Sequence, residues 1–173
     1  MTPDHVMIDL ETADNVPTAA VVAIGAVVFQ GPNAGLQFYT AVDLHSCLAA
    51  KLTMSDDTMA WWGKQSLEAR AVFADPQRMP VLAALQEFYR FMQSLNEPRV
   101  WGNGASFDNA IMANAYRAVG VPLPWKFWHD RCYRTVAAGI FQKRHQQGTH
   151  HNALDDAISQ ADHLLAHARE AVV

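Results

Sequence analysis

The chain has 173 residues, half of them hydrophobic, which is enough for one substantial core but cramped for two. Its formal charge of -4 disfavours broad attraction to nucleic acid, although bound divalent cations would offset part of that charge locally. It has two cysteines, no basic and apolar leader, and no apolar run of about 20 residues. These features predict a cytoplasmic protein with no disulfide framework and no membrane partner.

The first 45 residues predict a three-stranded antiparallel meander. The strands are expected at Val6–Thr12, Ala20–Gln30 and Leu36–Val42, because each is rich in β-branched or alternating apolar residues. Residues 13–18 and 31–35 carry the proline, glycine and asparagine typical of turns.

The rest of the chain predicts helices that alternate with short strands. Helices are expected from Ser55, from Val81, over Ser106–Val119, over Cys132–Phe141 and from Asn152 to about Glu170. Arg99–Gly102 reads as a buried strand, and residues 125–129 as a last strand or a loop. The final helix is expected to bury Leu154, Ile158, Ala161, Leu165 and Ala168. This layout predicts an α/β fold with a mixed five-stranded sheet, in a single domain that covers residues 1–173.

Asp9 and Glu11 are the first candidate site residues. In a strand they project from the same face, whereas Ile8 and Leu10 project from the other. Two acids at this spacing in an apolar strand repel each other, so a hard divalent cation is expected between them. The alternative is an exposed edge strand with two solvated acids.

Further acids stand at the beginnings of two helices that should pack on the sheet. They are Asp108 and the adjacent pair Asp155 and Asp156. Four converging carboxylates suit two Mg²⁺ or Mn²⁺ ions in phosphodiester hydrolysis. His150 and His151 precede Asp155 and Asp156 by five residues each, so either histidine could be the general base, and the spacing alone does not choose between them.

Three blocks together resemble the motifs of the DEDDh family of 3′-5′ exonucleases. They are residues 9–12 (Asp-Leu-Glu-Thr), 103–108 (Asn-Gly-Ala-Ser-Phe-Asp) and 151–157 (His-Asn-Ala-Leu-Asp-Asp-Ala), in the family's order. The resemblance implies a ribonuclease H-like fold. The Trp61-Trp62 pair and residues 130–135 are most similar to small stand-alone exoribonuclease-like and exonuclease VIII-like members from bacteria and phages.

The resemblance also implies roles for individual residues. Asp9 would bridge two ions, Glu11 and Asp156 would complete the first ion's ligands, and Asp108 would hold the second. The family pattern His-x-Ala-Leu-x-Asp-Ala selects His151 as the base, and the backbone near Leu10 and Thr12 would receive the terminal nucleotide.

Several other residues are candidates for contact with the substrate. Phe107 is either a core residue or a base-stacking platform. His150 and Arg131 are interpreted as phosphate contacts, although a solvated basic face is the ordinary reading of Arg131. One of Trp61 and Trp62 should be partly exposed, and core packing or a dimer contact is favoured for the pair.

The sequence therefore predicts a metal-dependent exonuclease that releases nucleoside 5′-monophosphates from 3′ ends of DNA or RNA, single-stranded or overhanging. Similar stand-alone members imply a homodimer. The alternatives are a nucleic-acid-binding or replication-associated module with weak or lost catalysis, and a ribonuclease H-like endonuclease.

Overall fold

A five-stranded mixed sheet organises the protein, whose computed structural model describes residues 2–167. The strands are β1 (His5–Thr12), β2 (Val21–Gln30), β3 (Gln37–Ala41), β4 (Arg99–Gly102) and β5 (Asp130–Cys132). Their spatial order is β3-β2-β1-β4-β5, with β1, β2 and β3 antiparallel and β4 and β5 parallel to β1. The predicted meander and the mixed sheet are confirmed.

Within residues 2–167, seven α-helices connect or flank the strands. They are α1 (Leu44–Ala49), α2 (Asp56–Trp62), α3 (Leu67–Arg70), α4 (Val81–Gln93), α5 (Ala110–Ala118), α6 (Tyr133–Ala137) and α7 (Ala153–His167). Short 3₁₀ turns occupy Ala71–Ala74 and Phe127–His129, and a π-helical turn at Ala105–Asn109 leads into α5. Among these described residues no helix is long and apolar enough to cross a membrane.

The alternation of β1 divides its side chains between two buried layers. Ile8 and Leu10 pack into the larger core, which includes Phe88 of α4 and Ile111 of α5. Met7 projects to the opposite face and packs with residues of α6 and α7. The face that carries Met7 also carries Asp9 and Glu11, so α7 covers the acidic side of the central strand.

Two segments near the β5 edge of the sheet refine the prediction. Of the two alternatives for residues 125–129, the loop is correct, because Phe127–His129 forms a 3₁₀ turn and the last strand follows at Asp130–Cys132. The helix expected over Cys132–Phe141 is only the five-residue α6. Buried Trp125 and its hydrogen bond to Asp130 fix the turn before the strand, a tertiary contact that local propensity does not encode.

The predicted buried face of the last helix was partly wrong. Leu165 is half exposed, and the fully buried positions of α7 include Asp156, Ala157 and Gln160. The helix is turned so that polar and small residues, together with Leu164, meet the sheet. Ala168 and Glu170, which were assigned to the same helix, lie outside the described residues.

Candidate active site

Asp9 and Glu11 lie side by side near the carboxyl end of β1, and both are buried. β4 ends at Gly102, which pairs with Ile8, so the next residues of β1 have no neighbour on that side. The chain instead folds into the π-helical turn that carries Asp108. This arrangement opens a cleft beside the acids at the end of the sheet.

Asp108 enters the site through a close approach of its turn to β4. A side chain at Gly102 would collide with Asn109 Oδ1 at 2.3 Å and with Asp108 Cβ at 2.9 Å. The amide of Gly104 donates to Asp108 Oδ2 at 3.1 Å, and Asp108 is 2 % exposed. The glycine therefore lets a buried carboxylate lie directly against the strand end.

Asp156 reaches the same point from α7. A side chain at Gly25, the β2 partner of Asp9, would collide with backbone atoms of Ala153 and Leu154 at 2.2–2.3 Å, so the start of the helix rests directly on the sheet. Carboxylate oxygens of Asp9, Glu11 and Asp156 consequently lie within 4.8 Å of one another. Asp156 Oδ1 is buried without a hydrogen-bond partner among residues 2–167, and a guanidinium nitrogen of Arg144 lies 3.7 Å from it.

Mutual repulsion and burial shift the acids toward their protonated forms. Burial, followed by the charges of Asp108, Glu11 and Asp156, raises the pKa of Asp9 well above its ordinary value. Burial and the charges of Asp156 and Asp108 raise the pKa of Glu11 to about 8. Burial raises the pKa of Asp108 to about 6 against the opposing effect of backbone amides. A cluster that holds protons so tightly in the absence of cations is suited to divalent ions.

Gln160 completes the cluster and was not anticipated from the sequence. It is fully buried, and its Nε2 donates to Asp9 Oδ1 at 2.6 Å. Its Oε1 has no hydrogen-bond partner in the part of the chain that the structure describes. The signal was present, because Gln160 stands four residues after Asp156 and must share that residue's face of the helix.

His151 lies at the mouth of the cleft in a left-handed backbone conformation, with φ of +64°. Its amide donates to Asp156 Oδ2 at 2.9 Å. Its ring meets the ring of Trp61 edge to face at 4.8 Å and lies 3.9 Å from the ring of His150. Burial and the charge of His150 lower the pKa of His151, against an opposing effect of Asp156. A neutral imidazole is therefore held beside the acids.

Within each of the pairs Asp155–Asp156 and His150–His151, the two residues occupy different positions. Asp156 lies in the acidic cluster, whereas Asp155 accepts a hydrogen bond from the amide of Thr149 at 2.7 Å and anchors the preceding loop. His150 is exposed, although one of its ring nitrogens also comes within 4.8 Å of ligand atoms of His151 and Asp156.

A cavity of about 410 Å³ opens beside the acids on the α2 side. Leu10, Thr12 and Phe107 contribute to its walls, together with the partly exposed Trp61 and the buried Trp62. Trp62 Nε1 donates to the carbonyl oxygen of Thr12 at 2.9 Å, which fastens α2 to the end of β1. Trp62 thus has a packing role, whereas Trp61 borders both the cavity and His151.

Of the predicted site residues, only Arg131 lies away from the cleft. It lies on β5, where its guanidinium donates to the carbonyls of Trp128 and Asp130. Arg134 and Arg144 line the acidic cleft instead.

Cation binding should be visible in the pH dependence of stability. The folded-state pKa values of Asp9, Glu11 and Asp108 are raised, so folding binds protons, and this stabilisation is lost as the pH rises through those values. Without divalent ions, the melting temperature should fall by roughly 5–10 °C between pH 6 and pH 8.5.

Saturating Mg²⁺ or Mn²⁺ should remove most of that fall, because the ions bind the ionised carboxylates of the folded protein. Thermal unfolding at both pH values, with EDTA or with either cation, measures the effect. Glu11→Gln is the matched variant and should show a smaller fall without cations. Equal melting temperatures at the two pH values would contradict the raised pKa values.

Comparison with known proteins agrees with this geometry. The model of the family described as "3′-5′ exoribonuclease Rv2179c-like domain" matches residues 4–167. The curated proteins give no match.

Solved structures of exonuclease I are similar in fold. The complex of Escherichia coli exonuclease I with a dA16 oligonucleotide has a TM-score of 0.67 at 14 % identity and covers 98 % of this chain. The apo structure has a TM-score of 0.68 at 12 % identity and also covers 98 %. The chain spans 41 % and 43 % of the lengths of these two proteins. The predicted ribonuclease H-like fold is confirmed.

Proposed function

Because the chain belongs to the family of 3′-5′ exoribonuclease Rv2179c-like domains, we propose that it hydrolyses nucleic-acid strands from their 3′ ends and releases nucleoside 5′-monophosphates. The observation that carries this proposal is the convergence of Asp9, Glu11 and Asp156, with Asp108 in the same cleft. The substrate is a DNA or RNA strand with a free, single-stranded or overhanging 3′ end.

The donor set fits hard divalent cations. It consists of carboxylates alone, it is buried, and one oxygen of Asp156 lacks a hydrogen-bond partner among the described residues. Asp9, Glu11 and Asp156 would hold one Mg²⁺ or Mn²⁺ ion, and Asp9 and Asp108 a second. The ions would supply Lewis-acid stabilisation of the attacking and leaving oxygens of the phosphodiester.

His151 is the proposed general base and accepts a proton from the attacking water. Its amide bond to Asp156 and its contact with Trp61 hold the ring at the cleft. The lowered pKa keeps the imidazole unprotonated near neutral pH, as a base requires. His150 and Arg144 both line the acidic cleft, and their proposed role is to contact the phosphate group.

The cavity beside Leu10 and Thr12 is the proposed binding site of the terminal nucleotide. Phe107 lines both this cavity and the acidic cleft, so its ring is placed to contact a base while the adjoining phosphate meets the carboxylates. A backbone amide of Leu10 faces Asp108 at the same point.

Substrates that differ at their 3′ terminus test whether hydrolysis begins at the 3′ end. A linear strand with a 3′ hydroxyl should be degraded with Mg²⁺ or Mn²⁺, whereas a circular strand and a strand with a 3′ phosphate should resist, because neither presents the required terminus. Parallel reactions on labelled DNA and RNA oligomers, resolved by denaturing electrophoresis, measure the preference for the sugar.

Two outcomes would favour the rival functions. Efficient cleavage of circles would indicate a ribonuclease H-like endonuclease. Binding of strands with no cleavage of any 3′ end, even with Mn²⁺, would indicate a nucleic-acid-binding module.

We further propose that residues 1–173 act as one exonuclease domain in the cytoplasm and form a homodimer. The chain mass is 19.2 kDa, so light scattering should give about twice that value for the dimer.

A further inference from the structure

Two aromatic side chains are exposed at the start of β5, far from the acidic cleft. Phe127 is 74 % exposed and Trp128 57 % exposed, and their ring centroids lie 4.9 Å apart at 84°. Their turn is firmly anchored, because Trp125 is buried and its Nε1 donates to Asp130 Oδ1 at 2.8 Å. The two rings are therefore held outward by a fixed turn, and the core does not contain them.

Cations surround this aromatic pair. Lys126 Nζ lies 5.5 Å from the centroid of the Trp128 ring, and Arg131 donates to the carbonyl of Trp128 at 3.1 Å. Arg99 lies on the adjacent strand β4, directly before Val100, which pairs with Asp130. The pKa values of two nearby histidines are lowered, mainly by burial and further by these positive charges. Arg131 and Arg99 act on His5, and Arg99 and Lys126 on His129.

Acids also lie near these cations. Asp130 Oδ1 accepts hydrogen bonds from Asn109 Nδ2 and Trp125 Nε1, so this carboxylate is engaged from the protein side. The charge of exposed Glu97 acts to raise the pKa of His129, and the charge of Asp4 acts to raise that of His5, against the effect of the cations. Lys126, Arg131 and Arg99 thus place three cations in this region of a protein whose formal charge is -4, with Asp130, Glu97 and Asp4 as nearby acids.

β5 connects the aromatic pair to the active site. The strand runs from the Phe127–His129 turn into α6, where Arg134 lines the acidic cleft with Asp108. Strand spacing and rise place Trp128 about 20 Å from Asp9. A stacked strand with a rise of ~3.4 Å per nucleotide covers that distance with about six nucleotides.

We propose that Phe127 and Trp128, flanked by Lys126 and Arg131, form a second binding site for single-stranded nucleic acid. It takes the segment about six nucleotides upstream of the cleaved 3′ end. Exposed rings stack on bases of any sequence, and the cations pair with the phosphates between them. The proposal rests on the proposed exonuclease function, since the strand it binds is the substrate whose 3′ end lies in the acidic cleft.

The test compares a trinucleotide with a decanucleotide, because only the longer strand reaches the exposed rings. For the native chain, kcat/KM should be higher for the decanucleotide. In the double variant Phe127→Ala/Trp128→Ala, the ratio of the two kcat/KM values should fall about tenfold. Lys126→Ala/Arg131→Ala, which keeps the rings, should lower the same ratio and make it less sensitive to salt.

The control is Leu82→Ala/Arg117→Ala, which removes an exposed apolar side chain from α4 and an exposed cation from α5. It should keep the native ratio. If both substrates are cleaved and the ratio stays native in the ring and cation variants, the second site is refuted while the exonuclease function stands. If neither substrate is cleaved by the native chain, the exonuclease function itself fails.

A second copy of the chain is the competing occupant of these rings. Light scattering on the native chain and on Phe127→Ala/Trp128→Ala separates the two possibilities. The same mass for both proteins is the expected result. Conversion of a dimer into a monomer by the substitutions would assign the rings to a contact between copies and overturn the proposal.

Discussion

Replacing Asp9 by asparagine should reduce kcat by about 10³-fold or more. Asp9 is the central acid of the site, because the charges of Asp108, Glu11 and Asp156 all act on it. Its proposed role is to bridge both cations, and a neutral amide provides no charge for that role. Steady-state hydrolysis of a labelled oligomer with saturating Mn²⁺ measures the loss.

The folded state of Asp9→Asn should be at least as stable as that of the native chain above pH 8 when no cation is bound. The substitution removes a buried charge that its neighbours oppose, and Gln160 can still hydrogen-bond to the side-chain oxygen. Asp162→Asn, an exposed position further along α7, is the matched control and should retain activity. More than a tenth of native turnover in Asp9→Asn would contradict the bridging role.

Replacing His151 by alanine should reduce turnover by roughly 10²- to 10⁴-fold, the range expected for loss of a general base. Its ring contributes no proposed cation ligand, and the bond to Asp156 comes from its backbone amide. Affinity for Mn²⁺ should therefore stay within about threefold of the native value. Turnover and calorimetric titration with Mn²⁺, measured on the same preparation, separate the two effects.

His150→Ala is the matched comparison, because His150 is the exposed neighbour with the same offset from Asp155. The loss of kcat/KM in His150→Ala should be smaller than in His151→Ala and should come mainly from a higher KM, as expected for a phosphate contact. If His151→Ala loses Mn²⁺ affinity in proportion to turnover, His151 is a cation ligand and not the base. If His150→Ala loses more turnover, the two histidines exchange roles.

The strongest local patterns predicted the central parts of the fold. The alternation of β1 correctly placed Asp9 and Glu11 on one face and Ile8 and Leu10 on the other. Helices of six and four residues, α1 and α3, were not predicted, because such short helices depend on tertiary contacts rather than on their own propensity.

The last helix shows why part of the site escaped prediction. Amphipathic analysis looks for apolar side chains toward the sheet, but α7 presents Asp156, Gln160 and small residues there. A helix that carries catalytic groups inward has a partly polar buried face, so its apolar stripe alone does not define that face. Gly25 and Gly102, whose close approaches fix the acids, stand in strands as single glycines, a pattern that indicates close packing of backbone.

The location of bound Mn²⁺ tests the account most directly, because two groups of side chains compete for the ion. One is Asp9, Glu11 and Asp156, and the other is His150, His151 and Asp156. Anomalous diffraction from crystals grown with Mn²⁺ locates the ions without reference to activity. The account predicts two ions about 3.5–4 Å apart between the carboxylates, with the His151 ring unliganded. An ion held by His150 and His151, with none at Asp9, would contradict it.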